Sequence, residues 1–289
     1  MEVLRKNEVI ITGRLVAADI KKDFDKNGKS YISVNATIQS EIKGKTNTFE
    51  VDFYAREMTK DNKVNKLYTT YSEIEDFLNK KVQVSGELTE NRFWSSNAGQ
   101  LVSAQKINGK FIKGELETTA DAATFTIGGF VVKELVEKTN KNNEVYRYDL
   151  SIGQANYNNT SMNVFVLHVD PADTEIVRGV KTYQAGMTVQ VKGNLCFTSE
   201  QVTVVDENSG FGEEISRVYT NKQKNYFITG GSNPIKGEES GQYSMDLIQS
   251  LIAAYKQKDV ELQSGASAQE AKKPAEKAAP VTSRQSSLI

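Results

Sequence analysis

A short phrase that occurs twice constrains the fold of this chain more than any other feature. Residues 82–88, VQVSGEL, return as residues 189–195, VQVKGNL. Three earlier segments recur in the same order: 11–16 as 127–132, 31–39 as 146–154, and 49–54 as 164–168. A repeat that holds its order along the chain indicates duplication of one structural unit. Each copy has room for about five strands in roughly 100 residues, which predicts a duplicated small β-barrel.

Each copy shows the same alternation of apolar and polar residues. In the first copy, Ile32, Val34, Ala36 and Ile38 alternate with polar residues, which is typical of a half-buried strand. Three such strands, a short helical stretch and two more strands follow the order of the oligonucleotide/oligosaccharide-binding (OB) barrel. A β-sandwich fits less well, because each copy has a helical interruption before its fourth strand. We therefore predict an all-β fold with minor helices, built from two tandem five-stranded OB-like barrels.

The predicted domain boundaries follow from this pattern. A first barrel over 1–112 would be the main DNA-binding module, and a second barrel would cover 113–229. In the first barrel, a polar stretch over 89–100 would join the fourth strand to a last strand at 101–107. In the second barrel, 189–195 and 201–205 would be the last two strands, and 215–227 could add a hairpin.

The C-terminal part differs in composition from the two barrels. Residues 230–263 read as a linker followed by an amphipathic helix over 243–258. That helix could mediate homo-oligomerisation, or it could pack against the second barrel. The Ala-, Ser-, Gln- and Lys-rich residues 264–289 predict a disordered tail.

Composition removes several classes of function. The single cysteine, Cys196, excludes an internal disulfide, and one His with one Cys leaves no conventional zinc site. We expect no cofactor. No apolar run approaches the roughly 20 residues of a membrane span, and the first residues lack the apolar centre of a signal peptide. The expected location is therefore the cytoplasm, which would be the host cytoplasm for a phage-encoded protein.

The net charge of −1 hides an uneven distribution along the chain. Residues 1–112 carry 18 Lys+Arg against 15 Asp+Glu, whereas residues 113–240 carry 12 against 17. What binds a phosphate backbone is the charge on one face and not the total. The difference favours the first copy as the nucleic-acid binder.

The segment after the first copy of the phrase contains Arg92, Phe93 and Trp94, and Trp94 is the only tryptophan in the chain. In an OB barrel this segment is the loop between strands 4 and 5, which forms one wall of the binding groove. Bases stack on indole and phenyl rings, and an arginine can contact a phosphate. Trp94 could instead fold back onto the end of the barrel.

The loop between strands 1 and 2 forms the opposite wall. It and the start of the next strand carry further candidate DNA-binding residues: Lys21, Lys22, Phe24, Lys26, Lys29 and Tyr31. The lysines would attract phosphates and the two rings would stack on bases. Three interleaved aspartates could make this loop an ordinary solvated hairpin, and Glu50 and Asp52 on the next strand are unfavourable for a phosphate track.

The second copy offers weaker candidates. Arg147 should lie on the outer face of its strand, whereas Tyr146 and Tyr148 should lie at the core or rim. Tyr157, in the following turn, and Phe197, after the fourth strand, complete the set.

Enzymatic function finds little support. His168 has no second histidine, activated serine or cysteine near it in the sequence, so we interpret it as structural. The Gly-Gly pairs at 128–129 and 230–231 lack the spacing of a phosphate-binding loop. We predict that the chain is not an enzyme.

With tandem barrels over about 7–228, loops that combine aromatic and basic residues, and a polar tail, the chain resembles phage-type single-stranded-DNA-binding proteins. The resemblance implies sequence-tolerant binding of single strands in replication, recombination or repair. Such proteins commonly end in an acidic tail that recruits replication enzymes. This tail instead carries Lys272, Lys273, Lys277 and Arg284 and ends in Leu288-Ile289, so any partner would be recruited by another chemistry.

Two other interpretations stay open at this point. Tandem barrels also build virion components and assembly scaffolds, and an RNA-binding OB protein would differ only in its preference for the 2′-hydroxyl. The leading hypothesis is non-enzymatic binding of single-stranded DNA through aromatic stacking and Lys/Arg contacts with phosphates.

Overall fold

The structure, a computed structural model, describes residues 2–114, 116, 118–205, 216–237 and 240–270, with the backbone alone at 202–205, 216–219 and 266–270. The first half contains β1 (Asn7–Phe24), β2 (Ser30–Ile42), β3 (Lys45–Arg56), α1 (Lys66–Ser72), a 3-10 turn (Ile74–Phe77), β4 (Lys81–Ser95) and β5 (Gln100–Lys113). The second half contains β6 (Ala122–Thr139), β7 (Val145–Ala155), β8 (Met162–Val169), α2 (Thr174–Val180), β9 (Thr188–Val205), β10 (Ser216–Gly231) and α3 (Met245–Glu270).

Each half closes into a five-stranded barrel. In the first half, β1 pairs with both β2 and β4, β2 pairs with β3, and β4 pairs with β5. A short parallel pairing of β3 with β5 completes the circle. The same pairings join β6 to β10, including the parallel contact of β8 with β10. The predicted all-β, OB-type fold class is confirmed.

The two barrels are joined through their first strands. β1 and β6 pair antiparallel from Asn7 opposite Ile127 to Thr12 opposite Ala122, which makes one continuous ten-stranded sheet in the described part of the chain. A single apolar core also crosses the junction, where the rings of Phe49 in β3 and Phe197 in β9 lie 5.1 Å apart. The relative position of the barrels is therefore set by backbone pairing as well as by side-chain packing.

The repeated phrase has a steric explanation. Its glycines, Gly86 and Gly193, occupy equivalent places in β4 and β9, where the strand passes close to the fifth strand of its barrel. A Cβ atom at Gly86 would overlap the carbonyl oxygen of Asn108, and one at Gly193 would overlap that of Phe227. Only a residue without a side chain fits there, so both copies keep a glycine.

The alternation predicted for β2 is confirmed. Ile32, Val34, Ala36 and Ile38 are buried in the barrel, whereas the odd-numbered residues between Tyr31 and Gln39 point outward. The inward residues join the apolar residues of β3 and β4 in the main core. The outward side of β2 and β3 is therefore a surface that the core does not use.

The predicted polar link over residues 89–100 is wrong. β4 continues to Ser95 and β5 begins at Gln100, so only four residues, 96–99, form the turn. The ladder runs on to the pair Ser95 and Gln100. The hairpin extends beyond its own barrel because it packs against the second one, where the side-chain amide of Gln105 donates to the carbonyl of Val166 at 2.9 Å.

The last strands of the second barrel also differ from expectation. Residues 201–205 continue β9 instead of forming a separate strand, and β10 is the fifth strand. β10 pairs with β9 over almost its whole length, from Ser216 opposite Val205 to Gly231 opposite Val191. The arm formed by this hairpin reaches back towards the first barrel.

The C-terminal helix is longer than predicted. α3 begins at Met245 and continues to Glu270, so residues 264–270, expected in the tail, belong to the helix; residues 271–289 lie outside the described part. Ile248 and Leu251 of α3 are buried in a cluster that includes Tyr243, Phe130 and Met162. Two of the apolar residues expected to mediate oligomerisation are thus covered by the second barrel of the same chain, whereas Met245 is 58% exposed.

Candidate nucleic-acid interface

Two tyrosines lie side by side on the outer face of the first barrel. Tyr31 of β2 is opposite Arg56 of β3, and Ser33 is opposite Tyr54. The ring centroids of Tyr31 and Tyr54 are 5.4 Å apart with an interplanar angle of 34°, and Tyr54 is 55% exposed. Nothing in the described chain covers Tyr54 enough to bury it. The pair is a ready surface for flat apolar groups such as nucleobases.

An aromatic and basic cleft lies at one end of this face. Phe24, at the end of β1, is 69% exposed and lines a cleft of about 570 Å³ with Lys29, Arg56, Met58 and other residues of the two neighbouring loops. Lys60 and Glu57 also line it, so a ring, three cations and one carboxylate share this concave surface next to the tyrosine pair.

Asp25 holds the turn that forms this cleft. Its carboxylate accepts hydrogen bonds from the backbone N–H groups of Asn27 and Lys29, and Arg56 lies 3.1 Å from it. The Lys29 hydrogen bond, followed by that of Asn27 and the charge of Arg56, lowers the pKa of Asp25. Asp25 is therefore part of the scaffold of the loop, and not simply a charge that cancels the lysines.

The other lysines of this region are placed less specifically. Lys21 and Lys22 lie in β1, opposite Ser33 and Ile32, and Lys26 lies in the turn. All three are exposed, and Lys21 lies 3.9 Å from Asp23. Because Lys21 and Lys22 belong to the strand end, the loop between β1 and β2 is shorter than the sequence indicates.

The two acidic residues on the outer face of β3 are both paired. Glu50 lies 3.5 Å from Lys222 and 3.3 Å from Lys224, both in β10 of the second barrel. Asp52 lies 3.5 Å from Lys106 and accepts a hydrogen bond from the Asn35 amide at 2.8 Å. The Lys224 charge, supported by that of Lys222, lowers the pKa of Glu50. The face is therefore less acidic than the β3 sequence indicates.

Arg92 is bound inside the protein. Its guanidinium lies 2.6 Å from the carboxylate of Asp259 on α3 and stacks 3.9 Å from the centroid of the Tyr255 ring. The Tyr255 hydroxyl donates to Glu90 at 2.5 Å, and the other Glu90 oxygen accepts from the backbone N–H of Val164. A polar cluster that includes Arg92 thus binds the β4–β5 hairpin to α3 and β8.

Phe93 and Trp94 lie on opposite faces of the hairpin. Trp94 is half-buried and, because strand residues alternate, shares its face with Arg92 and Glu90, which contact α3. Phe93, on the other face, is 42% exposed. Both residues are in β4 and not in a loop, contrary to the sequence-based expectation. By this alternation Trp94 lies on the α3 side of the hairpin.

The outer side of the second barrel is largely covered. A second apolar cluster joins α3 to β6, β7 and β8 through Leu251, Phe130, Ala155 and Met162. Every residue of β7 from Tyr148 to Ala155 is buried. The surface that corresponds to the open face of the first barrel is therefore occupied by the chain itself.

The second-barrel candidates do not form one site. Arg147 is half-buried and pairs with Asp149 at 2.8 Å, and Tyr157 is exposed in the turn between β7 and β8 with Arg5 at 5.9 Å from its ring. Phe197 is buried between Phe49 and Tyr226. The prediction that Phe197 contacts the ligand is wrong, because its side chain points into the barrel in the alternation of β9.

Tyr146 differs from its expected position. It is 54% exposed, whereas Tyr148 is buried as expected. The pairing of β6 with β7 shifts register between Lys133 and Val136 and again after Lys138, which breaks the simple alternation near the start of β7.

His168 is a buried residue of the interior. Its Nδ1 accepts the backbone N–H of Tyr226 at 3.2 Å, and Asp149 lies 3.9 Å from Nε2. Burial, with the nearby Arg147 charge, lowers the pKa of His168 to about 4, against the opposing effect of Asp149. A neutral buried imidazole with a backbone partner fits a structural role.

Within the described residues, no group of three or more His, Cys, Asp or Glu side chains is arranged to hold a metal ion. In the same part of the chain, no helix combines the length and the apolar character that a membrane span requires.

Comparison with known families assigns the chain. The model of the YorF family matches residues 6–265, which is most of the sequence. The chain belongs to the YorF family. A search of curated proteins finds no match for this YorF chain.

Among solved structures, the YorF chain is similar to the single-stranded DNA binding protein from Thermus aquaticus. A deletion variant of that protein matches with 14% identity and a TM-score of 0.49, covering 81% of this chain and 96% of the other. The wild-type form matches with 14% identity and a TM-score of 0.48, covering 81% of this chain and 95% of the other. The mitochondrial single-stranded DNA binding protein Rim1 from S. cerevisiae matches with 15% identity and a TM-score of 0.28, covering 38% of this chain and 96% of the other. Likeness at this level says nothing about the function of the YorF chain.

Sequence reasoning missed four residues of the open face in this YorF chain. Tyr54 and Arg56 alternate with the buried Phe53 and Ala55, so the period of two could have placed both beside Tyr31. Lys222 and Lys224 carry no such signal. Their place beside Glu50 depends on how the second barrel meets the first, and no local pattern encodes that contact.

Proposed function

We propose that this protein is a non-enzymatic binder of single-stranded DNA and that the outer face of β2 and β3 is its main binding surface. The observation that carries the proposal is the pair of half-buried Tyr31 and exposed Tyr54, beside the cleft of Phe24, Lys29 and Arg56. Rings supply stacking and cations supply phosphate contacts, which is the combination that sequence-tolerant single-strand binding needs.

The chemistry favours single strands over duplexes. A ring can stack on a base only when that base is unstacked from its neighbours, and each such contact contributes about 1–3 kcal/mol. In a duplex the base faces are buried, so only the phosphate contacts would remain. Lysines and arginines would then bind weakly and with little selectivity.

The proposal assigns the main role to the first barrel, over about residues 1–112. Its outer face is open, whereas α3 and the β4–β5 hairpin occupy the corresponding side of the second barrel. The distribution of charge agrees, since the first barrel is the more basic half. Lys21, Lys22 and Lys26 would add phosphate contacts around the aromatic residues. We propose no DNA contact for Phe197.

We further propose that the protein acts in the cytoplasm, the host cytoplasm for a phage-encoded protein, on single strands exposed during replication, recombination or repair. A partner of the C-terminal tail remains part of this proposal, and residues 271–289 of that tail lie outside the described part of the chain. Assembly through α3 is disfavoured, because Ile248 and Leu251 are already buried against the second barrel.

The test is a titration of the full-length protein with fluorescein-labelled oligo-dT, followed by anisotropy. We expect binding at low salt that weakens as salt rises, with a matched duplex competing poorly. Competition by oligo-U of the same length separates DNA from RNA preference through the 2′-hydroxyl. Absence of binding to oligo-dT at low salt would refute the function, and equal competition by duplex would refute the role of stacking.

A further inference from the structure

The second barrel contributes two lysines to the open face of the first. The arm formed by β9 and β10 lies along β3, and Lys222 and Lys224 both direct their ammonium groups at the Glu50 carboxylate. Thr48, Phe197 and Ser199 complete a small cleft at this contact. All three charged side chains remain well exposed to solvent.

This contact is continuous with the tyrosine pair. Glu50, Asp52 and Tyr54 alternate along one strand with buried residues between them, so they share the outward side of β3. Four residues of strand separate Tyr54 from Glu50 by about 13 Å. A strand that stacks on Tyr54 and follows β3 would thus reach the two lysines of the other barrel.

We propose that Lys222 and Lys224 form a second phosphate-binding part of the same surface, and that Glu50 occupies it until a phosphate takes its place. The proposal rests on the single-strand binding proposed above and extends the site across both barrels. Ion pairs between exposed side chains contribute little to stability, so exchanging the carboxylate for a phosphate has little cost. The backbone pairing of β1 with β6 holds the lysines in place beforehand.

The proposal makes Glu50 an internal competitor of the ligand. In Glu50→Gln the lysines keep their positions but lose the carboxylate. A carboxylate about 7 Å from a bound phosphate weakens binding by roughly threefold in water, so we expect Glu50→Gln to bind oligo-dT roughly threefold more tightly. The matched control is Glu137→Gln, which removes the same charge from another exposed pair, with Lys181 at 3.7 Å.

The double variant Lys222→Ala/Lys224→Ala should have the opposite effect. Each phosphate contact on a single strand contributes about 0.7 to the slope of log affinity against log salt, so two lost contacts should reduce the slope by about 1.4. At 0.1 M salt this corresponds to roughly 25-fold weaker binding. The control Lys181→Ala should leave the slope within experimental error of the wild type. Equal melting temperatures confirm that the variants are folded.

The outcomes separate the two proposals. If the wild type binds oligo-dT, Glu50→Gln binds it more tightly, and the double variant has a smaller slope of log affinity against log salt, the site that spans both barrels is supported. Wild-type binding with an unchanged slope in the double variant, or no tightening in Glu50→Gln, overturns it while leaving the single-strand function intact. A wild type that fails to bind oligo-dT overturns both.

Discussion

The replacement Arg92→Ala distinguishes the two roles that this residue could have. The sequence predicts a phosphate contact in a binding loop. The structure instead places the guanidinium 2.6 Å from Asp259 and 3.9 Å from the Tyr255 ring centroid, within the contact between the hairpin and α3. We therefore expect Arg92→Ala to destabilise the fold and to leave DNA affinity nearly unchanged.

The magnitude follows from the burial of the pair. The side chains of Arg92 and Asp259 are 15% and 24% exposed, so the pair lies between the buried and the exposed limits. Removing one partner of a buried pair costs about 3–5 kcal/mol, whereas exposed pairs contribute about 0–1 kcal/mol. We expect a loss of about 2–3 kcal/mol, including the stacking on Tyr255. For a chain of this size that lowers the melting temperature by about 3–5 °C.

The assay is thermal unfolding followed by circular dichroism, combined with oligo-dT anisotropy on the same samples. A double-mutant cycle with Asp259→Ala should show strong coupling, since the second replacement removes a charge that has already lost its partner. Arg92→Lys keeps the charge and should recover only part of the stability, because lysine lacks the planar group that stacks on Tyr255. An unchanged melting temperature together with much weaker DNA binding would refute this reasoning.

Three further predictions concern the interior and the hairpin. Folding lowers the pKa of His168 from its ordinary 6.5 to about 4, so the unfolded chain takes up the proton at a higher pH than the folded protein does. The free energy of unfolding should therefore fall by roughly 2–3 kcal/mol between pH 6.5 and 4. In urea titrations, His168→Gln should remove most of that pH dependence. Phe197→Ala should cost about 3–5 kcal/mol of stability, and a cost as small as that of exposed Tyr157→Ala, about 0.5 kcal/mol, would contradict the burial of Phe197. Trp94→Ala should keep its affinity for oligo-dT within about twofold, and a loss comparable to that of a stacking contact, about 1–3 kcal/mol, would return Trp94 to the binding surface.

The fold was accessible from the sequence because its signals are local and repeated. Alternation in β2 marked the core residues, and the repeated phrase marked the fourth strand of each barrel, β4 and β9. Those constraints act within one strand or between close neighbours. They therefore leave a trace in the order of residues.

The errors have a common physical cause. The 89–100 segment is polar, yet residues 89–95 continue β4 because the hairpin packs on the second barrel and α3. The sequence around Arg92 is typical of a phosphate contact. In the structure, however, Arg92 pairs with Asp259, which lies far away in the sequence. The same holds for Lys222 and Lys224, which are far from Glu50 in sequence and meet it only when the two barrels pack together. Contacts between segments that are far apart in the chain determine these positions, and such contacts produce no periodic pattern.

The most direct test of the central claim compares two tyrosines with nearly equal exposure. Tyr54, on the open face of the first barrel, is 55% exposed, and Tyr146, on the second barrel, is 54% exposed. In oligo-dT anisotropy at fixed salt, Tyr54→Ala should weaken binding by the roughly 1–3 kcal/mol of one stacked base, which is about 5- to 150-fold, whereas Tyr146→Ala should change it less than twofold. Equal affinities for the two variants, or a larger loss in Tyr146→Ala, would contradict the assignment of binding to the first barrel.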